Sequence, residues 1–329
     1  MNTNPLKLKI LLLLILVVMS FVSIFIGDLN SFSFSLPADA KIRDIVFYEI
    51  RLPRLLLAIL SGATLGLVGA VLQGLLRNPL AEPGIIGVSG GAAFGAVVII
   101  YFNIAAANSL LLPLGGITGA IVSMLLLYVL AGRGGHLYKV ILAGIAINAL
   151  AAALTALALN LAPSPFALSE ILFWLMGSVS NRSMLHVWVL LPFVITGTLL
   201  LFSCARGLDA LTLGEKGAAS LGINMTRLRT KVIIGSGIAI GACVSVTGSI
   251  GFIGLIVPHI LRPYVHYKPG ALLFPSAVAG AILLVVADTL VRVIPSSVEL
   301  KLGVVTALLG VPFFIYLVLS KKHQSALDR

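Results

Sequence analysis

Apolar runs of about 20 residues recur along the chain, and each has the length that an α-helix needs to cross ~30 Å of hydrocarbon. Eight runs meet this length, near residues 9–27, 53–75, 111–131, 139–161, 185–204, 232–250, 270–293 and 302–320. Two shorter glycine-rich runs, 86–102 and 251–264, can contribute spans only if they are tilted or packed inside protein. The sequence therefore predicts an all-α integral membrane protein with about ten transmembrane helices.

Composition and charge agree with this class and fix an orientation. Hydrophobic residues make up 59% of the 329 positions and charged residues only 10%, which excludes a soluble globule. The net charge of +11 could indicate nucleic acid, but most basic residues fall on the side that an even number of spans gives to both termini. By the positive-inside rule that side is the cytoplasm. We therefore expect both termini in the cytoplasm and no nucleic-acid partner.

The segment 77–92 interrupts the apolar pattern with a polar turn. Pro79 and Pro83 cannot continue helical hydrogen bonding, while Gly84 and Gly87 allow close approach of backbones. Such irregular backbone is tolerated in a membrane protein where it is buried in protein or lines a cavity. The segment is predicted to line a pathway or gate. An ordinary cytoplasmic turn between two spans is the alternative.

Sites for catalysis or resident metal are not indicated. The chain has no G-x-x-x-x-G-K-[ST], so it cannot bind ATP through a P-loop of its own, and H-E-x-x-H and G-x-S-x-G are missing too. Asp288 is the one carboxylate placed well inside an apolar run, and Arg292 one helical turn later is its obvious partner. A structural ion pair near the outer end of the span is favoured over an ion-coupling role.

Glycine spacing predicts close helix packing. The second span carries Gly62, Gly66 and Gly69 at three- and four-residue intervals, and the seventh carries Gly235, Gly237 and Gly241. These two spans run in opposite directions under the proposed topology, which faintly suggests an inverted repeat.

The largest cytoplasmic loop is predicted at 205–231. Within it Glu215 opens a short helical stretch, Ala218, Ala219 and Leu221 lie close to one face, and Gly222 stands where a helix would end. A short amphipathic helix of this kind suits docking into a partner's groove. A simple surface helix is the alternative.

Several motifs together make the chain resemble the FecCD/BtuC-type permeases, the membrane subunits of bacterial ABC importers for ferric siderophores, haem and cobalamin. The resemblance covers nearly the whole chain after the first span. Its motifs are Arg51-Leu-Pro-Arg54, Gly69-x-x-x-Gln73, Asn78-Pro-Leu-Ala-Glu-Pro-Gly84, Gly87-Val-Ser-Gly-Gly-Ala92, Leu142-Ala-Gly144, Trp174-Leu-Met-Gly-Ser178, Ala218-x-x-Leu-Gly222, the run Gly248 to His259, Ala287-Asp288 with Arg292, and the run Gly303 to Phe314. Lys301 departs from the proline that is usual there.

The resemblance implies a type II ABC importer permease: one transmembrane domain, residues 1–329, in the bacterial cytoplasmic (inner) membrane. It would form a homodimer in the lipid bilayer, with two cytosolic ATP-binding subunits below and a periplasmic or lipid-anchored substrate-binding protein above. This chain would be no enzyme and would bind no cofactor or metal, because the partner ATPase uses ATP and Mg. The pathway is expected between the fifth and tenth spans of the two copies.

Residue roles follow from the same resemblance. The translocation gate maps onto Asn78, Pro79 and Leu80, with Leu137 and Tyr138 in the loop between the fourth and fifth spans as a second constriction. Docking of the binding protein maps onto Arg51, Arg54 and Arg292. Coupling to the ATPase maps onto the loop 205–231, where the residues are Glu215, Ala218, Ala219, Leu221 and Gly222.

Substrate and rival classes stay open at this point. Ferric siderophore is the expected cargo because it is the commonest in the family, and haem or cobalamin is the alternative. A secondary transporter would need an ion-coupling carboxylate, for which only Asp288 is available. A membrane enzyme would need a nucleophile, base or metal set that the sequence lacks.

Overall fold

The computed structural model describes residues 5–26, 39–132, 137–294 and 299–327, and within these ranges it is helical without strands. A π-helical turn, Val46–Arg51, joins α2 to α3. The α-helices of these ranges are α1 (Pro5–Phe25), α2 (Ala40–Ile45), α3 (Leu52–Leu76), α4 (Val88–Tyr101), α5 (Leu111–Ala131), α6 (Leu137–Asn160), α7 (Pro165–Leu175), α8 (Met184–Phe202), α9 (Ala205–Ala210), α10 (Gly214–Ser220), α11 (Met225–Thr247), α12 (Ile253–Leu261), α13 (Pro269–Val293) and α14 (Leu302–Leu327).

Each of the eight long apolar runs forms a helix, so these predicted elements are confirmed. Within the described residues, seven helical stretches are long and apolar enough to cross a membrane. They are Pro5–Phe25, Lys41–Leu76, Leu111–Ala131, Leu137–Asn160, Met184–Phe202, Met225–Thr247 and Pro269–Val293. The shorter runs form α4 and α12, of 14 and 9 residues against the 25 of α3. The count of ten spans therefore stays a prediction.

Helix α3 forms the centre of the bundle and packs along α13 through small residues. A Cβ added at Gly62 or Gly66 would collide with the α13 backbone at Gly280 or Ser276, and one at Gly69 would collide with Gly254 of α12. The close packing predicted from glycine spacing in this span is confirmed. Since the backbones touch, the α3–α13 pair leaves no room for side chains between its axes.

Two long helices are each followed by an irregular stretch and a short helix. Helix α3 ends at Arg77, whose φ of +48° is left-handed, and the chain then forms a 3₁₀ turn, Pro83–Ile86, before α4. Helix α11 ends at Gly248, and α12 begins after Phe252, whose φ is +68°. The two irregular stretches meet: a Cβ at Gly254 would collide with the ring of Pro83.

Helix α7 was not predicted, because its 11 residues are too short for a span. Its start carries a recognisable signal, since the Ser164 hydroxyl accepts from the amide of Ala167 and Pro165 occupies the first turn. The chain after α7 holds the C-terminal end of α11 and the N-terminal end of α14 together. Ser178 donates its amide to Thr247, and the amide of Leu302 donates to Gly177. Helix α14 thus begins normally after Lys301, whose ammonium lies 5.5 Å from the ring centroid of Phe173 on α7.

Candidate translocation and coupling site

Residues 77–87, here the gate segment, form a polar turn that folds back against α3. The amide of Asn78 donates to Gln73 across the left-handed Arg77, and the Asn78 side chain accepts from the amide of Leu80. Asn78 is exposed, Pro79 is partly buried and the Leu80 side chain is 40% exposed. The predicted irregular connection is confirmed, and it presents Leu80 outward from a turn that is fixed by its own hydrogen bonds.

Gln73 holds the gate segment to α12 from inside the protein. It is 2% exposed, and its Nε2 donates to the carbonyls of Ala81, Gly254 and Leu255 at 3.2–3.4 Å. The Gly254 carbonyl needs this donor, because its helical partner would be the amide of residue 258 and Pro258 has none. Gln73 therefore satisfies a carbonyl that α12 cannot satisfy itself.

The other end of the same amide is also engaged. Gln73 Oε1 accepts from Arg262 Nη2 at 2.6 Å, and Arg262 begins the 3₁₀ turn that follows α12. One side chain on α3 thus contacts the gate segment, the start of α12 and its end. Movement of any of these elements relative to α3 has to break hydrogen bonds that are shielded from water.

Glu82 forms a second link between the two irregular stretches. Its Oε1 accepts from the backbone amide of Phe252, the residue before α12, at 3.2 Å. A carboxylate at a helix N-terminus is stabilised by the unpaired amides there. Glu82 also borders a cavity of about 160 Å³ together with Ser89, Ser249 and Phe252. This small cavity lies where α4 and α12 begin.

The second predicted constriction, Leu137 and Tyr138, lies at the start of α6. Leu137 packs partly against the core, whereas the Tyr138 side chain is 72% exposed. Helices α6 and α14 leave much of their apolar surface exposed in the single chain, including Leu142, Leu150, Leu308 and Ile315. These are the faces on which the pathway between two copies was expected.

The predicted short helix in the loop 205–231 is confirmed as α10. Glu215 lies in its first turn, Ala218 is fully buried, Ala219 and Leu221 are exposed, and Gly222 follows the helix with a φ of +80°. Ala218 thus anchors the helix while Ala219 and Leu221 are presented to solvent. Residues 205–222, here the coupling segment, comprise α9, a 3₁₀ turn and α10.

Two polar contacts fix the coupling segment to long helices. Glu215 Oε1 lies 2.6 Å from Arg229 Nη2 on α11, and the Arg229 side chain is only 11% exposed. Asp209 Oδ1 accepts from the amide of Gly270 in the first turn of α13 at 2.7 Å. A Cβ at Gly270 would collide with this carboxylate and with the Ala205 carbonyl. The segment is therefore attached at one point to α11 and at another to α13.

A charge cluster at the start of α3 and the end of α13 consists of Arg54, Asp288, Arg292 and Glu299. Arg54 Nε donates to both oxygens of Asp288, at 2.9 and 3.0 Å, and its Nη2 lies 2.6 Å from Glu299. Arg292, expected from its i+4 spacing to be the obvious partner of Asp288, reaches it only at 3.5 Å. That expectation needs correction: the closer partner is Arg54 on α3, a contact that sequence spacing cannot reveal.

Arg292 and Arg51 mainly hold α1 in place. Arg292 donates to the Ser23 carbonyl and hydroxyl at 2.8 and 2.5 Å, and Arg51 donates to the Ile24 carbonyl at 2.6 Å. The side chains of Arg54 and Arg292 are 13% and 9% exposed. The structure thus brings the predicted docking residues to one end of the bundle and engages all three in contacts within the chain.

Sequence reasoning found the motifs of this site but missed two of its roles. Gln73 was noted within a glycine motif without a function, and the helix break at Pro258 with an amide side chain nearby is the signal that could have suggested one. Asp209 gave no signal, because its partner is a backbone amide 61 residues away. Among the described residues no cluster of three or more His, Cys, Asp or Glu side chains could hold a metal ion.

Comparison with known sequences gives matches along almost the whole chain. The FecCD transport family matches residues 10–320. The hemin transport system permease protein HmuU of Yersinia pestis is 36% identical over 320 residues, with 95% of each chain covered. The vitamin B12 import system permease protein BtuC of Salmonella typhi is 38% identical over 278 residues, 84% of each chain. The Fe(3+)-citrate import system permease protein YfmE of Bacillus subtilis (strain 168) is 36% identical over 324 residues, 95% of each chain.

Solved structures show the same architecture. An ABC transporter of the metal-chelate type, in an inward-facing conformation, superposes with a TM-score of 0.86 at 34% identity, covering 95% of this chain and 99% of that one. PsaBC from Streptococcus pneumoniae superposes with a TM-score of 0.55 at 18% identity, a likeness of fold alone.

Proposed function

Because the chain belongs to the FecCD transport family, whose members here are ABC importer permeases, we propose that it moves an iron chelate, a ferric siderophore, across the inner membrane. As an ABC importer permease it is a multi-pass inner-membrane protein. Energy comes from two separate ATP-binding subunits, which use ATP and Mg, and this chain binds no cofactor of its own. The single observation that carries the proposal is the coupling segment, whose α10 is attached to α11 through Glu215 and whose α9 is attached to α13 through Asp209.

The transport cycle requires two orientations of one pathway. In the proposal, ten spans place both termini and the coupling segment in the cytoplasm, and two copies of the chain enclose the pathway between α6 and α14. ATP binding in the partner pushes on α10, and the two attachments pass the displacement to α11 and α13. The dimer then exchanges outward-open and inward-open states through small rigid-body movements of helices.

The gate closes the cytoplasmic end of this pathway. Leu80, with Asn78 and Pro79, forms the first constriction, and Leu137 with Tyr138 forms the second. The exposure of Leu80 and Tyr138 in the single chain supports this role, because a side chain that closes a pathway between two copies must project from its own copy. Because Gln73 is hydrogen-bonded to both the gate segment and α12, the two move together.

The binding protein docks at the outer end, where Arg51, Arg54 and Arg292 lie. The positions of the three arginines support this proposal, although Asp288 and Glu299 offset part of their charge. Docking at such a surface depends on long-range attraction, so its association rate falls with added salt.

A ferric siderophore is proposed because it is the commonest cargo of the family, since the relatives do not separate the cargoes. Hemin, vitamin B12 and Fe(3+)-citrate permeases are similarly identical to the chain, at 36–38%. Haem or cobalamin is the alternative cargo. Ion-driven secondary transport gains no support, because Asp288 is held by two arginines.

Reconstitution tests the proposal directly. The permease, purified with its ATPase subunit, is placed in lipid vesicles with the binding protein outside and ATP inside. We expect uptake of a ferric siderophore that needs ATP and raises the rate of hydrolysis. Uptake of haem or cobalamin instead would reassign the cargo, and absence of any ATP-dependent uptake would contradict the transport function.

A further inference from the structure

Two cavities lie in succession along the outside of the bundle and share one lining residue, and together they are called the groove here. The first, of about 370 Å³, lies between α5 and α11 near the end of α5 at Ala131. The second, of about 490 Å³, continues between α5, α8 and α11. Met124 lines both, so they meet at its side chain. From Ile117 to Ala131 the groove follows about 21 Å of helix α5, which exceeds the ~15 Å depth of hydrocarbon in one leaflet.

The groove changes chemistry along its length. Around Ile121, Phe193 and Ile238 it is lined almost wholly by apolar side chains. At the other end its lining includes Thr226, Thr230 and Arg229, with the exposed Tyr128 facing them across the cavity. The lining is therefore mainly apolar throughout, and Thr226, Thr230 and Arg229 add polar groups at one end.

Basic residues on α6 and α11 are neighbours in sequence of the residues that line this end. Arg227 and Lys231 are exposed on α11 beside Arg229, and Lys139 is exposed beside Val140, which lines the cavity from α6. Glu215 offsets one of these four charges. The excess is the pattern of a basic pocket between transmembrane helices that binds the headgroup of an anionic lipid.

We propose that this groove binds one anionic phospholipid, with an acyl chain along α5 and α11 and its phosphate group at Thr226, Thr230 and Arg229. The inference rests on the proposed function only for the orientation that makes this the cytoplasmic leaflet. A second copy of the chain fits the surface less well, because a two-fold contact through it would bring the Arg227 and Lys231 of both copies together. Since Arg229 also contacts Glu215, the bound lipid lies one side chain away from the coupling segment.

Lipid retention tests the proposal without any transport measurement. The full-length permease, purified with its ATPase subunit, is equilibrated in nanodiscs of phosphatidylcholine with one-fifth phosphatidylglycerol, then released and weighed by native mass spectrometry. We expect at least one tightly held phosphatidylglycerol per permease chain, enriched several-fold over its share of the bilayer. Equal retention of the two lipids by the unaltered protein would overturn the proposal.

Two variants and a control assign the lipid to the groove. Met124→Trp obstructs the junction of the cavities and should lower retention about tenfold, while Arg227→Gln with Lys231→Gln should abolish the preference for phosphatidylglycerol. The control, Arg206→Gln with Lys216→Gln, removes the same charge from exposed positions of the coupling segment and should retain the lipid. If both groove variants bind as the unaltered protein does, the lipid lies elsewhere. Should Met124→Trp not fold, the charge variant decides alone, because its changes are confined to exposed side chains.

Discussion

At the scale of single residues, Gln73 carries out three tasks with one amide. Its Nε2 donates to the Gly254 carbonyl, which Pro258 cannot serve because it has no amide hydrogen, and to the Ala81 carbonyl. Its Oε1 accepts from Arg262. Buried polar groups of this kind stabilise a fold only while every partner is in place.

Replacement of Gln73 should therefore be costly. Gln73→Met preserves approximate volume but leaves buried carbonyls without their donor, and we expect it to destabilise the protein by roughly 1–3 kcal/mol. The measurement is thermal unfolding of the purified chain. Gln73→Glu is the companion variant, which keeps an acceptor for Arg262 but sets a carboxylate against the carbonyls of Ala81, Gly254 and Leu255, so it should also destabilise the protein. Unfolding temperatures equal to the unaltered protein for both variants would show that water replaces the amide.

The buried ion pair of Arg54 and Asp288 gives a second prediction. Arg54→Met leaves Asp288 with the more distant Arg292, and removal of one partner of a buried pair costs about 3–5 kcal/mol. The double variant Arg54→Met/Asp288→Leu removes both charges and should recover part of that loss. A double variant no more stable than Arg54→Met would argue that Arg292 or Glu299 depends on the pair.

Sequence pattern alone could predict that Asp288 needs a cation but not which one. Arg292 lies four residues away on the same helix, whereas Arg54 is 234 residues distant and is brought close only by the packing of α3 on α13. The partners of Gln73 and Asp209 are likewise set by tertiary packing. Residue types in the motifs were therefore predictable, and their contacts were not.

At the scale of elements, hydropathy was sufficient for the long helices, and glycine and proline marked the breaks. Helix α7 was missed because length was the criterion for a span, while its serine and proline start signal is local. Helix α10 was predicted from Glu215 and Gly222, yet its attachment to α11 through Arg229 depends on how the loop folds back.

The two charges of the Glu215–Arg229 pair can be swapped to test this attachment. Glu215→Arg or Arg229→Glu alone places like charges together, so we expect ATP hydrolysis to continue while uptake per ATP falls several-fold. The double variant restores an opposite pair and should recover at least half of the lost uptake. Lys216→Glu reverses charge on the same helix without touching the pair and serves as the control. If both single variants take up as much ligand per ATP as the unaltered protein does, the Glu215–Arg229 pair has no part in coupling.

The gate segment gives a prediction about leak. Leu80→Gly removes the exposed side chain while the turn around it keeps its hydrogen bonds, so ligand should cross reconstituted vesicles without ATP. Leu161 is an exposed leucine after α6, so Leu161→Gly is the control and should leave the passive flux of ligand unchanged. Passive flux that is unchanged by Leu80→Gly would reduce the segment to a simple turn.

At the scale of the whole molecule, the orientation can be measured with two conservative substitutions. Ser220→Cys lies in the coupling segment and Ser109→Cys in the turn before α5, and both serines are exposed. The natural cysteines, Cys204 and Cys243, are buried and should give little background. In intact cells an impermeant thiol reagent should modify only Ser109→Cys. Modification of Ser220→Cys from outside would invert the topology.

The backbone contacts between α3 and α13 have a consequence for heredity. Any missense change of a glycine codon adds at least one carbon atom, and at Gly62, Gly66 and Gly280 that atom would meet main chain, which cannot move aside as a flexible side chain can. Random mutagenesis followed by selection for growth on the transported iron source should therefore leave glycine encoded at these three positions. Gly84 and Gly251, where an added Cβ would meet only a side-chain oxygen at 3.5 Å or more, offer the comparison. Missense changes should therefore inactivate the protein most readily at the glycines where α3 and α13 touch.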